Sequence, residues 1–443
     1  MKSEIIITKD GDEFQRYHII EEFAFSDLRS KQPAFDPRVI EKIAHLYRNI
    51  IIPKDREKYG IFYFIRVSEE MEFPMEDGDT VYFDVNLRFA AHLNELVANG
   101  TIYKDEEIYI TDTELLMFLK HLLIHGRIGN ASGSDSLIRF IPISDELGFA
   151  SEVEGKVVVN SHFFLMDPSD IDTPFCTLGN AYGLAVEKGE VLLPPLNRRP
   201  ALFVDRDNHS YLEVPSLTDL TVTINETTYA HGDGCTFYQR NSERCTPDSS
   251  NTEIIIVGRR VVAVKKGGNT PIPMAGFIIS VEGEVTIDNP SVTYGGYEHI
   301  EFAIQVGPSM VKEGKIVDSL CCPFFDSACD TVSFPPTVYP LDFNTGRAGR
   351  IILGTNAQGE PILGWAEGAS KTEYIPGKGS RGCSLLELAQ FCAEQGYTNI
   401  VNLDGGGSAQ LLVDGVRSLE ISDRTLFDEE AERPVPRVLV LNQ

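Results

Sequence analysis

The sequence of 443 residues contains no cluster of lysine and arginine and no long apolar run. It has 39 basic and 66 acidic residues, which gives a net charge of −27. Nucleic-acid and anionic membrane surfaces require a basic stripe on their protein partner. Apolar runs such as residues 254–257 are far shorter than the ~20 residues that span a membrane. We therefore expect a soluble, acidic protein that binds neither nucleic acid nor membrane.

The cysteines also exclude several classes of site. The eight cysteines form no C-x-x-C pair, and a chain of this length needs no disulfide scaffold. Cys321, Cys322 and Cys329 are close in sequence, but adjacent cysteines do not readily bind one zinc and no histidine completes the set. We expect reduced thiols, no metal and no organic cofactor. The short N-terminal apolar stretch is no signal peptide, which predicts a cytoplasmic location, with a secreted protein whose signal has been removed as the alternative.

The pattern of predicted secondary structure changes near residue 130. The predicted elements before this point are a helix from Pro37 to Pro53, strands over 61–65 and 81–85, and a helix that begins with a capping box of Thr111 and Glu114. A stretch rich in glycine, serine and asparagine follows at 127–136. We predict a smaller α/β N-terminal segment over 1–130 and a second domain over 131–443.

The second domain is predicted to be strand-rich with few helices. Short β-branched runs at 156–160, 260–264 and 276–281 are separated by glycine, asparagine, aspartate and proline. Residues 205–250 are predicted to be an irregular insertion. A single strong helix is indicated by a capping box of Ser384 and Glu387 and by apolar residues at helical spacing: Leu385, Leu388, Ala389 and Cys392.

The segment after this helix is the most informative. An apolar strand over 399–403 ends in Asp404, which is followed by Gly405, Gly406, Gly407 and Ser408. Three consecutive glycines cost much backbone entropy, so they indicate positive φ angles or the close approach of another group. The N–H groups of such a loop can form a nest for an anion such as phosphate. The alternative is a tight hairpin turn whose N–H groups are satisfied by Asp404 and Ser408.

Residues 402–408, preceded by a Ser-Leu-Leu-Glu-Leu-Ala helix, closely resemble the signature of the phosphodiester glycosidase family. Further blocks that resemble the family occur in its order, at 159–164, 183–191, 306–315, 350–354 and 432–436. Ser161 and His162 replace two family glycines in the first block. The resemblance covers about residues 156–443 and implies an α+β protein, in which the strand-rich domain is a phosphodiester-glycosidase-like catalytic domain.

The resemblance implies hydrolysis of a sugar-1-phosphodiester to a free sugar and a phosphomonoester. Because phosphate is a good leaving group, the site chiefly needs a phosphate cradle and a carboxylate near the anomeric carbon. The implied carboxylate is Asp404, as nucleophile, general base or oxocarbenium stabiliser, and Arg350 offers phosphate a bidentate fork. The amides of Gly405–Gly407 and the Ser408 hydroxyl are further donors.

Other site residues have two interpretations each. Asn160 and His162 are predicted to bind sugar hydroxyls or to transfer protons, although a buried structural histidine is equally consistent with the sequence. Arg433 binds phosphate or anchors the last strand, and Arg350 has an ion pair with the acidic surface as its alternative. The second carboxylate has candidates by proximity only, which are Asp167, Asp170 and Asp172. Glu387 is explained by its capping box.

The expected partner is a carbohydrate or sugar-phosphate substrate, and the sequence predicts no oligomeric state. Two alternatives remain for the function. One is a glycosidase that acts on a non-phosphorylated glycan, and the other is an inactive protein that binds carbohydrate or phosphate. Residues 376–380 look like a P-loop but lack its first glycine, so we predict a flexible loop that closes over the substrate.

Overall fold

The computed structural model shows two compact units. The larger contains Met1–Phe35, Glu146–Leu165 and Gly179–Gln443, and the smaller contains Asp36–Asp145 and Met166–Leu178. The residues described are 1–36, 38–39, 50–53, 61–64, 102–105, 107–110, 138–141, 143–166, 170–171, 173–196, 199–240, 243–321, 346–370, 375–424 and 430–442.

Strands dominate the described part of each unit. They are β1 (Lys2–Asp10), β2 (Glu13–Glu21), β3 (Arg29–Lys31), β4 (Ile50–Pro53), β5 (Ile61–Phe64), β6 (Ile102–Asp105), β7 (Glu107–Ile110), β8 (Ile138–Ile141), β9 (Val157–Asn160), β10 (Ala185–Glu187), β11 (Glu190–Leu193), β12 (Ala201–Asp205), β13 (Ser210–Glu213), β14 (Thr221–Ile224), β15 (Thr227–Ala230), β16 (Cys235–Gln239), β17 (Thr252–Val257), β18 (Arg260–Lys266), β19 (Gly276–Val281), β20 (Thr293–Gly295), β21 (Ile300–Ile304), β22 (Ser309–Lys312), β23 (Lys315–Ile316), β24 (Arg350–Asn356), β25 (Pro361–Ala366), β26 (Tyr397–Asn402), β27 (Leu411–Val413), β28 (Val416–Arg417) and β29 (Val438–Leu441). The α-helix α1 spans Leu385–Glu394, and short 3₁₀ helices span Phe25–Asp27, Ala150–Glu152, Leu217–Asp219, Asp318–Cys321 and Gly406–Ser408.

The larger unit contains five sheets whose described pairs are all antiparallel. Their strand orders are β1-β2-β25-β24-β26-β22-β23, β11-β10-β21-β12-β13, β15-β14-β20, β16-β19-β17-β18 and β28-β27-β9-β29-β3. The smaller unit contains the sheet β6-β7-β4-β5-β8, in which β4 and β7 are parallel. The predicted strand-rich α+β class with few helices is confirmed.

The first residues of the chain belong to the larger unit. Strands β1 and β2 pair along their whole length, from Lys2 opposite Glu21 to Asp10 opposite Glu13. Strand β2 then pairs with β25, which lies more than 300 residues later in the chain. Part of the segment predicted over 1–130 therefore completes the seven-stranded sheet, a pairing that no local pattern indicates.

Two of the predicted elements differ in the structure. Ile50–Pro53, predicted as the end of a helix, is strand β4, in keeping with the β preference of three consecutive isoleucines. The stretch 205–250, predicted to be irregular, contains β13 to β16. Its hairpin turn is made by Asn225 and Glu226, both with positive φ (50° and 74°), so a two-residue turn closes without the glycine that usually marks it.

Other predicted elements are present or lie beyond the description. The strand predicted at 61–65 is β5, and the runs at 156–160, 260–264 and 276–281 are β9, β18 and β19. The strand predicted at 81–85, the helix predicted from Thr111 and the linker at 127–136 lie outside the described residues.

Helix α1 has the predicted cap and packs on the seven-stranded sheet. The Ser384 hydroxyl accepts from the Glu387 amide at 3.2 Å, and the Glu387 carboxylate accepts from the Ser384 amide at 2.9 Å. The buried side chains of α1 join a core cluster with residues of β2, β24 and β26, and the Phe391 ring stacks on Tyr17 at 3.9 Å. The helix thereby places its N-terminus beside the start of β24.

Candidate active site

The triple-glycine loop begins where β26 leaves its pairing with β24. Ile352 pairs with Asn402, and the next amide, that of Leu403, donates to Ile351 O at 2.8 Å. Continuing this register brings Asp404 level with Arg350. The Gly406 amide also donates to Gly349 O at 2.7 Å, so the two chains stay close on both sides of this position. Arg350 is 2% exposed and Asp404 is 4% exposed.

Each glycine of the loop is required for a different reason. Gly406 has a φ of +61°, which favours glycine. A Cβ atom on Gly405 would lie 2.7 Å from Gly349 O, and one on Gly407 would overlap the Asp423 carboxylate and the Arg433 guanidinium. The loop is therefore defined by close backbone approach as much as by φ.

The loop amides are only partly available to a ligand. The amide of Gly406 donates to Gly349 O at 2.7 Å, and that of Ser408 donates to Gly405 O at 3.2 Å. Among the described residues, the amides of Gly405 and Gly407 have no acceptor. The predicted anion nest therefore has two remaining backbone donors, and its role in binding stays a prediction.

Asn160 ties the two ends of the loop together. Its side-chain Nδ2 donates to Asp404 O at 2.8 Å, and its Oδ1 accepts from the Gln410 amide at 3.0 Å. The residue is completely buried at the end of β9. The catalytic role predicted for Asn160 stays a prediction, and the contacts seen here make it a positioning residue for the loop.

Backbone carbonyls hold Arg350 in place. Its Nε donates to Cys383 O at 3.1 Å and its Nη2 donates to Gly346 O at 2.7 Å. Cys383 directly precedes Ser384, the N-cap of α1, so the hydrogen bond to Cys383 O links the Arg350 guanidinium to the start of the helix. The Gly405 backbone lies against this side chain, since a Cβ there would be 3.5 Å from Arg350 Cδ.

Arg433 supports the loop from the other side. Its Nε and Nη2 donate to the two oxygens of Asp423 at 2.8 and 3.1 Å, which is a bidentate ion pair. Its carbonyl also accepts from Gln410 Nε2 at 3.2 Å. These contacts join Arg433 to Asp423 and Gln410, and both of its predicted roles, binding phosphate and anchoring the last strand, stay predictions.

His162 lies in the interior beside the loop. Its Nδ1 lies 3.0 Å from Ser161 Oγ and its Nε2 lies 3.3 Å from Leu184 O. Burial, together with the charge of Arg437, lowers the pKa of His162 to about 3, so the ring is neutral near pH 7. This environment is that of a structural histidine, and its predicted contact with sugar stays a prediction.

Two polar side chains at the loop have buried atoms that the fold does not use. In the described part of the chain, the Ser408 hydroxyl and both amide atoms of Asn402 are buried without a hydrogen-bond partner. Such groups are rare in folded proteins because each costs free energy. These atoms at the end of β26 are therefore candidates for hydrogen bonds with a bound ligand.

A polar cavity of about 370 Å³ lies next to the loop, and we call it the glutamate cavity. It is lined by Glu367, Gly368, Ser370, Ile375, Lys378, Gly379, Ser380, Glu420, Arg424 and Glu430. A Cβ on Gly368 would lie 2.9 Å from Gly349 Cα, and one on Gly349 would lie 3.2 Å from Gly406 O. One glycine therefore separates the cavity wall from the triple-glycine loop.

Glu367 joins several parts of the cavity wall. Arg16 Nε donates to Glu367 Oε2 at 2.6 Å, the Ser380 hydroxyl donates to the same oxygen, and the Glu420 amide donates to Oε1 at 2.8 Å. Sequence reasoning missed Arg16, Glu367 and Glu420, since none lies in a motif. It did indicate the loop over 376–380, of which Lys378, Gly379 and Ser380 line the cavity, and the closure of this loop over a substrate stays a prediction.

The remaining candidates lie elsewhere. Asp170 is buried in the smaller unit, and Asp167 and Asp172 lie outside the described residues. Cys322 and Cys329 are also outside the description, and the cysteines seen as free thiols are Cys176, Cys235, Cys245, Cys383 and Cys392. None of the described helices has the length and apolar character needed to cross a membrane.

One group of side chains has the spacing of a metal site. Potential ligand atoms of Asp205, Asp207 and His209 lie within 4.8 Å of one another on a largely exposed turn. Asp205 Oδ1 already accepts from the amides of Asp207 and His209, at 2.9 and 2.8 Å. These bonds are those of an ordinary Asx-type turn.

Comparisons with known proteins agree with these features. A family model described as phosphodiester glycosidase matches residues 221–442, which is half of the chain. N-acetylglucosamine-1-phosphodiester alpha-N-acetylglucosaminidase of Mus musculus is 34% identical over 76 residues, and that of Homo sapiens is 33% identical over 76 residues. Each match spans 17% of this chain but only 13% of the relative.

A solved structure shows a more distant likeness. The zebrafish N-acetylglucosamine-1-phosphodiester alpha-N-acetylglucosaminidase catalytic domain, auto-inhibited by its pro-peptide, aligns with 100% of this chain and 83% of its own. The identity is 11% and the TM-score is 0.41.

Proposed function

Since the chain belongs to the phosphodiester glycosidase family, we propose that it hydrolyses a glycosyl-1-phosphodiester to a free sugar and a phosphomonoester. The observation that carries this proposal is the buried Asp404 level with the buried Arg350, beside a polar cavity. The names of the curated relatives support N-acetylglucosamine as the sugar.

The chemistry follows from where the two charges lie. In hydrolysis, the oxygen of water bonds to the anomeric carbon while the bond from that carbon to the phosphate oxygen breaks. Positive charge develops on the sugar and negative charge on the departing phosphate. The Asp404 carboxylate stabilises the positive charge on the sugar, and the Arg350 guanidinium stabilises the negative charge on the phosphate. Burial of both side chains strengthens these interactions, because water screens them less than at the surface.

The surrounding contacts keep this arrangement rigid. Asn160 fixes both ends of the loop, the Asp423–Arg433 pair packs against Gly407, and Cys383 O holds Arg350. A site held in this way needs little reorganisation when charge develops during the reaction. We therefore assign catalysis to Asp404 and Arg350 and positioning to Asn160.

The test compares two aspartate variants. Asp404→Asn removes the charge at nearly constant shape, and we expect turnover of N-acetylglucosamine-1-phosphodiesters, in EDTA, to fall by about 100-fold or more. Asp414→Asn makes the same change on the turn between β27 and β28 and serves as the control. The free energy of unfolding of Asp414→Asn should stay within about 1 kcal/mol of the parent, and urea unfolding of Asp404→Asn shows that its turnover is measured on folded protein. Near-normal turnover by Asp404→Asn would show that the reaction does not take place at this loop.

A second variant tests the phosphate. Arg350→Lys keeps the charge but not the fork, so turnover of phosphodiesters should fall more than turnover of neutral aryl glycosides. Equal losses would contradict the phosphate role of Arg350. A parent protein active only on neutral glycosides would favour the non-phosphorylated glycan, and a parent silent on both would favour a binding protein.

A further inference from the structure

We propose that the glutamate cavity binds the sugar ring of the substrate, with Ile375 against the methyl group of a 2-acetamido substituent. The phosphate then lies on the side of Arg350 and the triple-glycine loop. This proposal rests on the proposed function, because it divides the substrate of that reaction between two neighbouring subsites.

The charged groups described around the cavity are largely paired with one another. The described lining contains three carboxylates, those of Glu367, Glu420 and Glu430, and two cationic side chains, those of Lys378 and Arg424. Arg424 is already neutralised, with Glu420 at 3.1 Å and Glu430 at 3.5 Å. Glu367 pairs with Arg16 at 2.6 Å and Glu430 pairs with Arg417 at 2.8 Å, so a phosphate entering here would have to compete with carboxylates for cations that are already paired. At the loop, the buried Arg350 guanidinium lies beside Gly405, and the amides of Gly405 and Gly407 have no acceptor among the described residues.

A neutral polyol matches the same lining well. Each sugar hydroxyl donates one hydrogen bond and accepts others, and the cavity presents acceptor-only carboxylates beside donor-only ammonium and guanidinium groups. Adjacent hydroxyls of a ring can therefore donate to Glu420 or Glu430 while accepting from Arg424 or Lys378. Hydrogen bonds to charged groups are stronger than those between neutral groups, so this lining is suited to holding one ring orientation.

The back wall of the cavity is held in place by hydrogen bonds to the buried Glu367 carboxylate. Glu367 has 1% side-chain exposure and receives hydrogen bonds from Arg16, Ser380 and the Glu420 backbone. Gly368 allows close packing, since a Cβ there would overlap Ser422 Oγ. The wall thus joins β2, the end of β25 and the loops at 380 and 420 around one buried carboxylate.

Ile375 is the one apolar side chain among the described residues of the lining. It is 39% exposed, on the loop that precedes α1. An exposed isoleucine beside these polar side chains offers a contact for a methyl group. Burying one methyl or methylene group corresponds to about a three- to fivefold gain in affinity, which is the size expected for preference of an acetamido over a hydroxyl group.

The experiment separates the two subsites by product inhibition. The probes are free N-acetylglucosamine, glucose and inorganic phosphate, each used as an inhibitor of phosphodiester turnover. The variants are Glu420→Gln and Ile375→Ser, both at partly exposed side chains, so that folding is preserved. The control is Glu394→Gln, which removes a carboxylate at the exposed end of α1.

We expect Glu420→Gln to raise the inhibition constant of both sugars about tenfold, as for loss of a hydrogen bond to a charged group. Ile375→Ser should raise the constant of N-acetylglucosamine about threefold and change that of glucose by less than twofold. Neither should change the constant of phosphate more than twofold, and Glu394→Gln should change none. A changed phosphate constant with unchanged sugar constants would overturn the proposal and place phosphate in the cavity.

Failure of this proposal is distinguishable from failure of the proposed function. If the parent turns over phosphodiesters but neither variant alters sugar inhibition, the cavity assignment alone is wrong. If the parent shows no turnover, binding of N-acetylglucosamine is followed by ligand-observed NMR for the same variants. Weaker binding to Glu420→Gln than to Glu394→Gln then supports a sugar site without the reaction, and equal or absent binding rejects the site.

Discussion

Single atoms decide the shape of the triple-glycine loop, and Gly407 is the most restrictive position. A methyl group there overlaps the Asp423–Arg433 ion pair, whereas one on Gly406 meets no atom within 4 Å. We expect Gly407→Ala to lower the free energy of unfolding by about 3 kcal/mol or more, because it separates a buried pair. Gly406→Ala should cost about 1–2 kcal/mol, from its left-handed φ alone. Urea unfolding measures both, and equal losses would show that the ion pair simply moves aside.

His162 makes the stability of the fold depend on pH. Its pKa is lowered from 6.5 to about 3, so between these values the unfolded chain binds a proton that the folded chain does not. The contribution is complete above pH 6.5 and is lost as the pH falls toward 3. At pH 5 the loss is about 2 kcal/mol relative to pH 7.

The variant His162→Gln isolates this contribution. Urea unfolding at pH 7 and pH 5 should show a smaller decrease for His162→Gln than for the parent, because glutamine does not titrate. If His162→Gln and the parent lose the same free energy between the two pH values, the ring is protonated in the folded state.

At the scale of elements, the start of α1 supports the site as well as the helix. Ser384→Ala removes the cap and should cost about 1 kcal/mol. Because Arg350 donates to Cys383 O, next to this cap, fraying should also lower phosphodiester turnover a few fold. Ser216→Ala removes a similar cap from the 3₁₀ helix Leu217–Asp219 and should affect stability only. Turnover that is equal in the two variants would show that the cap and Arg350 are independent.

The predictability of each element follows from how local its signal is. The sequence predicts helix α1 with both capping residues, because the capping box and the apolar residues at helical spacing all lie close together in the sequence. The strands of 205–250 were missed, because the turn at Asn225 and Glu226 has no glycine and the strands are short. The loop after β26 is indicated by its three glycines together with the family resemblance of residues 402–408, but the close approaches at Gly405 and Gly407 involve residues far away in sequence.

At the scale of the whole molecule, the site depends on contacts that no local pattern predicts. Arg350 and Asp404 were each indicated as site residues, but their position opposite one another comes from the order of β24 and β26 in the sheet. Arg16 reaches Glu367 because β2 pairs with β25, although the two strands are far apart in the sequence. Such pairings are selected by the packing of the whole sheet, so the walls around the candidate site cannot be predicted from local sequence.

The net charge of −27 gives a last expectation at this scale. An anionic phosphodiester is repelled by the acidic protein, and salt relieves this repulsion as the screening length falls from about 30 Å at 0.01 M to about 8 Å at 0.15 M. We therefore expect kcat/KM for a phosphodiester to rise about two- to fivefold over this range, while kcat/KM for a neutral aryl glycoside stays constant. A decrease for the phosphodiester would mean that the positive field around Arg350 outweighs the acidic surface during substrate approach.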